Sequence, residues 1–205
     1  MLDQSATNPI PLQNPPLSRL VVGITGASGA ILGVRLLQAL KSSRVETHLV
    51  ISDTASLTIQ QETDYTVEEV RTFAKITYDF HDLGAAIASG SLVTLGMVVI
   101  PCSIKTLSAV ANSYTDDLIS RAADVNLKEG RHLVLVVRET PYHSGHLRLM
   151  SQAAAAGAII FPPVPAFYLL PKTIDEMINN TVGRVLARLG IQNNLYQEWQ
   201  GQVSE

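Results

Sequence analysis

Short apolar runs and runs of helical period alternate along almost the whole chain. Residues Arg19 to Ile24 are apolar and β-branched, and a glycine-rich stretch follows at once, Gly26-Ala27-Ser28-Gly29-Ala30. From Ala30 to Lys41 the apolar residues Ile31, Val34, Leu37 and Leu40 recur at helical spacing. The cycle then repeats. Val45 to Ile51 predicts a strand, and Ser52 is placed to cap a helix through Ala55, Leu57 and Ile59. Thr66 and Glu69 have the spacing of a capping box at the start of another helix. Ile76 to Phe80 predicts a short strand, Gly84 to Ser91 a loop, and Gly96 to Pro101 a wholly apolar strand. Helical patterns cover Thr106 to Ala111 and Asp116 to Leu127. His132 to Val137 reads as a strand, Leu147 to Ala156 as an alanine-rich helix and Ala158 to Phe161 as a last short strand. Residues 162–168 hold too many prolines for regular structure. A final helix is predicted over Ile174 to Leu189, with Gly190 as its stop.

Continuous apolar strands alternating with helices predict a parallel sheet covered on both faces, a three-layer α/β/α fold. Ligands of such sheets lie beyond the carboxyl ends of the strands. Those ends carry Gly26, Ala27 and Ser28, then Ser52, then Ser103, Ile104, Lys105 and Thr106, then Arg138 and Glu139. A strand that ends in a glycine-rich turn at a helix start aims backbone N–H groups at one point, which attracts phosphate. The set reads as a hydroxyl-rich, cationic pocket for a phosphate and a polar ring. The glycine-rich stretch nearly matches a nucleophile elbow, but Ala30 stands where the last glycine belongs, so Ser28 reads as a hydrogen-bonding hydroxyl. Cys102 follows a buried strand and reads as a small core residue. Asp116-Asp117 reads as a helix start with acids at its positive end, and His143 and His146 do not form a metal-binding HExxH pair.

Composition narrows the class. A chain of 205 residues is long enough for one α/β domain with a substantial core. The 46% hydrophobic and 16% charged fractions suit a buried sheet and leave apolar surface for subunit contacts. Net charge is −3 without a basic block, which argues against nucleic acid as a partner. The lone cysteine excludes an intramolecular disulfide and a CxxC zinc site. No apolar run reaches the length of a membrane span. Residues 1–18 contain four prolines and lack the basic start and apolar centre of a signal peptide, so a flexible extension is expected there. A single domain is expected over 19–205, in a cytoplasmic protein.

Taken together, these motifs resemble the UbiX family of flavin prenyltransferases. The likeness spans Arg19 to Trp199. It rests on Gly23-Ile24-Thr25-Gly26-Ala27-Ser28-Gly29-Ala30, Glu62-Thr63-Asp64, Pro101-Cys102-Ser103 with Lys105-Thr106-Leu107-Ser108-Ala109, and Arg121-Ala122-Ala123-Asp124-Val125 with Leu127-Lys128-Glu129. Arg138-Glu139-Thr140-Pro141 and Pro162-Pro163-Val164-Pro165-Ala166-Phe167-Tyr168 complete it. The resemblance implies a Rossmann-like (flavodoxin-like) fold and a metal-independent transfer of a dimethylallyl group from dimethylallyl monophosphate to N5 and C6 of reduced FMN. It also implies that the prenylated FMN serves a UbiD-type decarboxylase, and that the protein is a homo-oligomer, a dodecamer, with active sites at subunit junctions.

Carried over by position, the resemblance makes Gly26, Ala27, Ser28, Ser52, Ser103, Ile104, Lys105, Thr106 and Arg138 the FMN contacts. Tyr168 and Arg184 become ligands of the prenyl phosphate, with Lys128, Arg121 and Glu139 near it. Glu62 lies near the flavin, and Trp199 at the pocket. The chemistry suits these residue types, because breaking an allylic C–O bond leaves negative charge on phosphate that Arg, Lys and a phenol stabilise. On that chemistry Glu139 would protonate the departing phosphate, Glu62 would help remove the C6 proton and Ser28 would relay it. The chain departs from many family members at His81-Asp82-Leu83-Gly84-Ala85-Ala86-Ile87, which lacks their tryptophan. Two rival readings are an FMN-dependent decarboxylase of cysteine peptides or phosphopantothenoylcysteine and a flavin carrier without chemistry. The decarboxylases use a histidine where this chain has Ser52-Asp53-Thr54, and a carrier has no need of a second phosphate site.

Overall fold

The computed structural model describes residues 18–201. Six strands form one sheet: β1 (Arg19–Ile24), β2 (Glu46–Ile51), β3 (Ile76–Tyr78), β4 (Gly96–Cys102), β5 (His132–Val137) and β6 (Ile159–Ile160). All five pairings are parallel, in the order β3-β2-β1-β4-β5-β6. This is the doubly wound Rossmann order, with its reversal point between β1 and β4. The helices are α1 (Ala30–Lys41), α2 (Asp53–Glu62), α3 (Val67–Arg71), α4 (Ile104–Ala111), α5 (Leu118–Lys128), α6 (Ser144–Ala155) and α7 (Ile174–Arg188). The proline-rich extension expected over 1–18 lies outside the described residues except for Ser18, whose carbonyl accepts the Glu46 N–H at 2.8 Å.

Strand alternation sorts the core into two halves. Leu20, Val22 and Ile24 of β1, with Val98 and Ile100 of β4 and Val134 and Val136 of β5, face α1, α2, α3 and α7. Val21, Met97, Val99, Leu133 and Leu135 face α4, α5 and α6. Every residue of β4 is buried, as a central parallel strand covered on both sides requires.

The elements begin and end where their caps dictate. Ser52 Oγ accepts the Ala55 N–H at 3.2 Å and starts α2, and Thr66 with Glu69 forms the expected capping box. Helix α5 starts at Leu118 rather than Asp116 because Asp117 is its cap, closed reciprocally with Ser120. Helix α6 starts at Ser144, earlier than the apolar period predicts, because the His143 ring accepts the Gly145 N–H. The edge strands are shorter than their apolar runs: β3 stops at Tyr78 and β6 keeps only Ile159–Ile160. The stretch expected to be a loop includes a 3-10 turn at Ala86–Ala88, and the stretch 162–168 expected to be irregular enters one at Phe167–Leu169, past the last of its prolines.

Candidate active site

The reversal point of the sheet opens a cleft of about 350 Å³, lined by Thr25, Gly26, Ser52, Asp53, Thr54, Phe80, Ser103, Lys105 and Thr106. Its floor is tied together by Thr25. The Thr25 hydroxyl donates to the Pro101 carbonyl at 2.7 Å and accepts the Ser103 N–H at 2.8 Å, which locks the ends of β1 and β4 at a fixed spacing. Ser52 N–H donates to the Ile24 carbonyl at 3.0 Å, and Arg138 N–H to the Cys102 carbonyl at 3.1 Å, so the neighbouring strand ends are joined in the same way. Gly26 is required by crowding. A Cβ there would stand 2.3 Å from Thr54 Cγ2 and 2.5 Å from Thr54 Cβ.

At the opposite wall, Ser103 Oγ accepts the Thr106 N–H at 3.3 Å and lies 3.2 Å from Thr106 Oγ1. Lys105 lines the cleft, but its ammonium is committed: it donates to Asp117 Oδ2 at 2.6 Å, reaches Asp116 Oδ1 at 3.5 Å and lies 5.9 Å from the centre of the Phe80 ring. Partial burial opposes its charge, yet Asp117 and Asp116 outweigh that and hold its pKa above the ordinary value. Cys102 is fully buried, and burial pushes its thiol far up, so it is a core residue here.

The turn before α1 differs from a simple phosphate cradle. Gly29 has a φ of 99°, and its N–H donates to Glu62 Oε2 at 2.7 Å, while the Ala30 N–H reaches the same oxygen at 3.3 Å. The anion at this helix N-terminus is therefore the protein's own carboxylate. Desolvation alone would raise the Glu62 pKa. The Gly29 N–H, the Ser28 hydroxyl, the Ala30 N–H and the charge of Arg138 together lower it below the ordinary 4.5. Ser28, Glu62 and Arg138 thus meet beside the cleft, and Glu139 follows in the next loop with Oε1 accepting the Thr140 N–H at 2.9 Å.

The other sequence-predicted residues lie elsewhere. Arg121 and Lys128 are on α5, in the same helix layer as α4. Arg121 Nε donates to the Ala88 carbonyl at 3.2 Å and its guanidinium lies 3.4 Å from Asp124. Lys128 pairs with Glu129 where α5 turns into the start of β5, the sheet edge away from the cleft. Arg131 donates there to the Leu92 and Gly90 carbonyls at 2.8 and 2.6 Å. The loop lacking the tryptophan packs Ala85, Ile87 and Ala88 onto the α5 side of the core and leaves Leu83 half exposed. Tyr168, Arg184 and Trp199 gather around α7. The Tyr168 and Trp199 rings meet edge to face at 5.6 Å, and the Arg184 guanidinium lies 5.8 Å from the Phe161 ring. Neither group lines the cleft, so the candidate residues fall into three sets on one chain. Thr25, Thr54 and Phe80 were not singled out as site residues in the sequence, although Thr25 belongs to the motif Gly23 to Ala30 that carries the resemblance.

The family model for flavoproteins matches residues 11–165. Flavin prenyltransferase UbiX of Escherichia coli K12 is 58% identical over 188 residues, covering 90% of this chain and all of that one. The chain belongs to the UbiX flavin prenyltransferases. AnUbiX (PadA1), solved in complex with FMN and dimethylallyl pyrophosphate, superposes with a TM-score of 0.89 at 49% identity, over 90% of this chain and 98% of its own. The dodecameric FMN-dependent UbiX-like decarboxylase of Escherichia coli O157:H7 superposes with a TM-score of 0.87 at 48% identity, over 89% of this chain and all of its own. As a UbiX-family chain it is a flavoprotein, and no helix among its described residues is long and apolar enough to cross a membrane.

Proposed function

We propose that this chain transfers a dimethylallyl group from its monophosphate ester to reduced FMN, first at N5 and then at C6. The observation that carries the reading is the cleft between β1 and β4, with Ser28 and Glu62 fixed beside it. Its residues suit a flavin. Gly26 leaves backbone exposed where a Cβ would collide, and Ser52, Ser103 and Thr106 line it with hydroxyls. Bound there, reduced FMN supplies nucleophilic N5 and C6 positions and a π-face that steadies allylic positive charge.

The protein's part is positioning and charge. As the C–O bond of the ester breaks, the electron pair leaves with the phosphate. Arg184, Lys128, Arg121 and the Tyr168 phenol stabilise that developing charge, and Glu139 delivers the proton the phosphate takes up. Glu62, held ionised by the α1 N-terminus, accepts the proton lost from C6 by way of Ser28. These groups lie in three patches of one chain, so the active site is completed by other copies. An exposed apolar surface around α7, with Val164 at 72%, Phe167 at 66%, Leu170 at 71% and Ile174 at 73% exposure, supports burial in such an assembly. We take the assembly to be a dodecamer, the recipient of the product to be a UbiD-type decarboxylase and the compartment to be the cytoplasm.

Anaerobic mixing with reduced FMN and dimethylallyl monophosphate tests the reading. The expected result is release of inorganic phosphate and a flavin heavier by one five-carbon unit. A flavin of unchanged mass returns the protein to the role of carrier.

A further inference from the structure

Helix α7 carries a glycine in its interior, Gly183, where alanine would favour the helix by about 1 kcal/mol. The space left by its missing side chain is filled by the chain's own last segment. A Cβ at Gly183 would lie 2.8 Å from Asn193 Oδ1, 3.0 Å from Leu195 Cβ and 3.0 Å from Tyr196 Cδ1. Asn193 fastens the segment at that point. Its Nδ2 donates to the Gly183 carbonyl at 3.0 Å, and its Oδ1 accepts the Leu195 N–H at 3.1 Å. Leu195 packs on the core that includes Val182 and Leu186 of the same helix.

Beyond this anchor the chain brings Trp199 to the 3-10 turn, where its ring meets Tyr168 edge to face. Both rings are otherwise largely exposed, at 61% and 51%. A groove of about 300 Å³ runs beneath the arm, between Leu169 and Pro171 on one side and Met177 and Asn180 on the other. The buried Asn180 Nδ2 has no hydrogen-bond partner among the described residues. The arm is therefore a separable unit, fastened at Asn193 and Leu195 and loosely packed beside them.

We propose that Gly183 is a positioning residue. The notch it leaves in α7 seats the arm from Ile191 to Trp199, and the seated arm holds Trp199 against Tyr168, fixing the direction of the phenol. The use of that phenol on the ester phosphate rests on the function proposed above, whereas the seat of the arm does not.

Gly183→Ala and Gly183→Leu test it, read by Trp199, the chain's only tryptophan. Gly183→Ala should still fold, because the helix propensity gained by alanine, about 1 kcal/mol, offsets part of the packing lost when the arm leaves. Both variants should show faster local motion in Trp199 fluorescence anisotropy. Chymotrypsin should cut the arm after Leu195 or Tyr196 about tenfold faster, because a released segment is cleaved in proportion to its open population. The KM for dimethylallyl monophosphate should rise about threefold or more at unchanged FMN affinity, the sign of lost ground-state positioning. Unchanged anisotropy and cleavage in both variants would overturn the seat, and a released arm with unchanged KM would overturn the link to Tyr168. A wild-type protein that leaves FMN unmodified overturns the functional reading, and faster anisotropy decay in the same variants then still supports the seat.

Discussion

At Glu62 one side chain has a structural place and, in the function proposed above, a chemical one. Its carboxylate accepts the Gly29 and Ala30 N–H groups at the start of α1 and lies beside Ser28 and Arg138. Since its pKa is lowered, the charge on this group stabilises the fold fully above the ordinary value of 4.5 and stops doing so as pH falls through the lowered value. In Glu62→Gln the amide oxygen can still accept the Gly29 N–H, so the fold should persist and FMN should still bind. Loss of the base should slow the second bond, at C6, by about 10²-fold or more. Stopped-flow absorbance of the flavin checks this, and an unchanged ring-closure rate would remove Glu62 from the chemistry. At this scale the motif residues of the cleft were legible, because strand-end position and residue type announce them. The partners that define their state were not. Nothing in the local sequence says that Lys105 is neutralised by Asp117 or that the helix terminus is filled by a residue 33 positions along the chain.

Among the elements, α5 shows how a cap and an ion pair share one residue. Asp117 is buried, closes the capping box with Ser120 and holds Lys105 at the cleft wall. Asp117→Ala should lower stability by about 2 kcal/mol, combining a lost cap with a lost partly buried pair. Chemical denaturation monitored by circular dichroism measures this. The same variant should weaken FMN binding, because the wall at Lys105 and Phe80 loses its fixed point. Strand and helix order was readable because each apolar run matched one period. The ends were not, where tertiary contacts overrode pattern. The Ile76 to Phe80 run keeps only three paired residues on the sheet edge, and His143 starts α6 through its side chain rather than through hydrophobic spacing.

For the whole molecule, the order of strands brings together the sheet-edge residues but leaves Arg121 and Lys128 on one side and Tyr168, Arg184 and Trp199 on another. A sequence lists such residues without saying whether they meet within one chain, so this division was visible only in three dimensions. If copies share each site, two impaired variants should rescue one another. Co-expressed Glu62→Gln and Lys128→Ala chains should recover a ring-closure rate that neither reaches alone, and light scattering after gel filtration should give the mass of about twelve chains. A monomer with full activity would dismiss the arrangement. The division of the three patches carries a genetic consequence as well. If copies share each site, a chain defective in one patch would disable a centre built partly from sound neighbours, and dilution would silence protein that remains correctly folded.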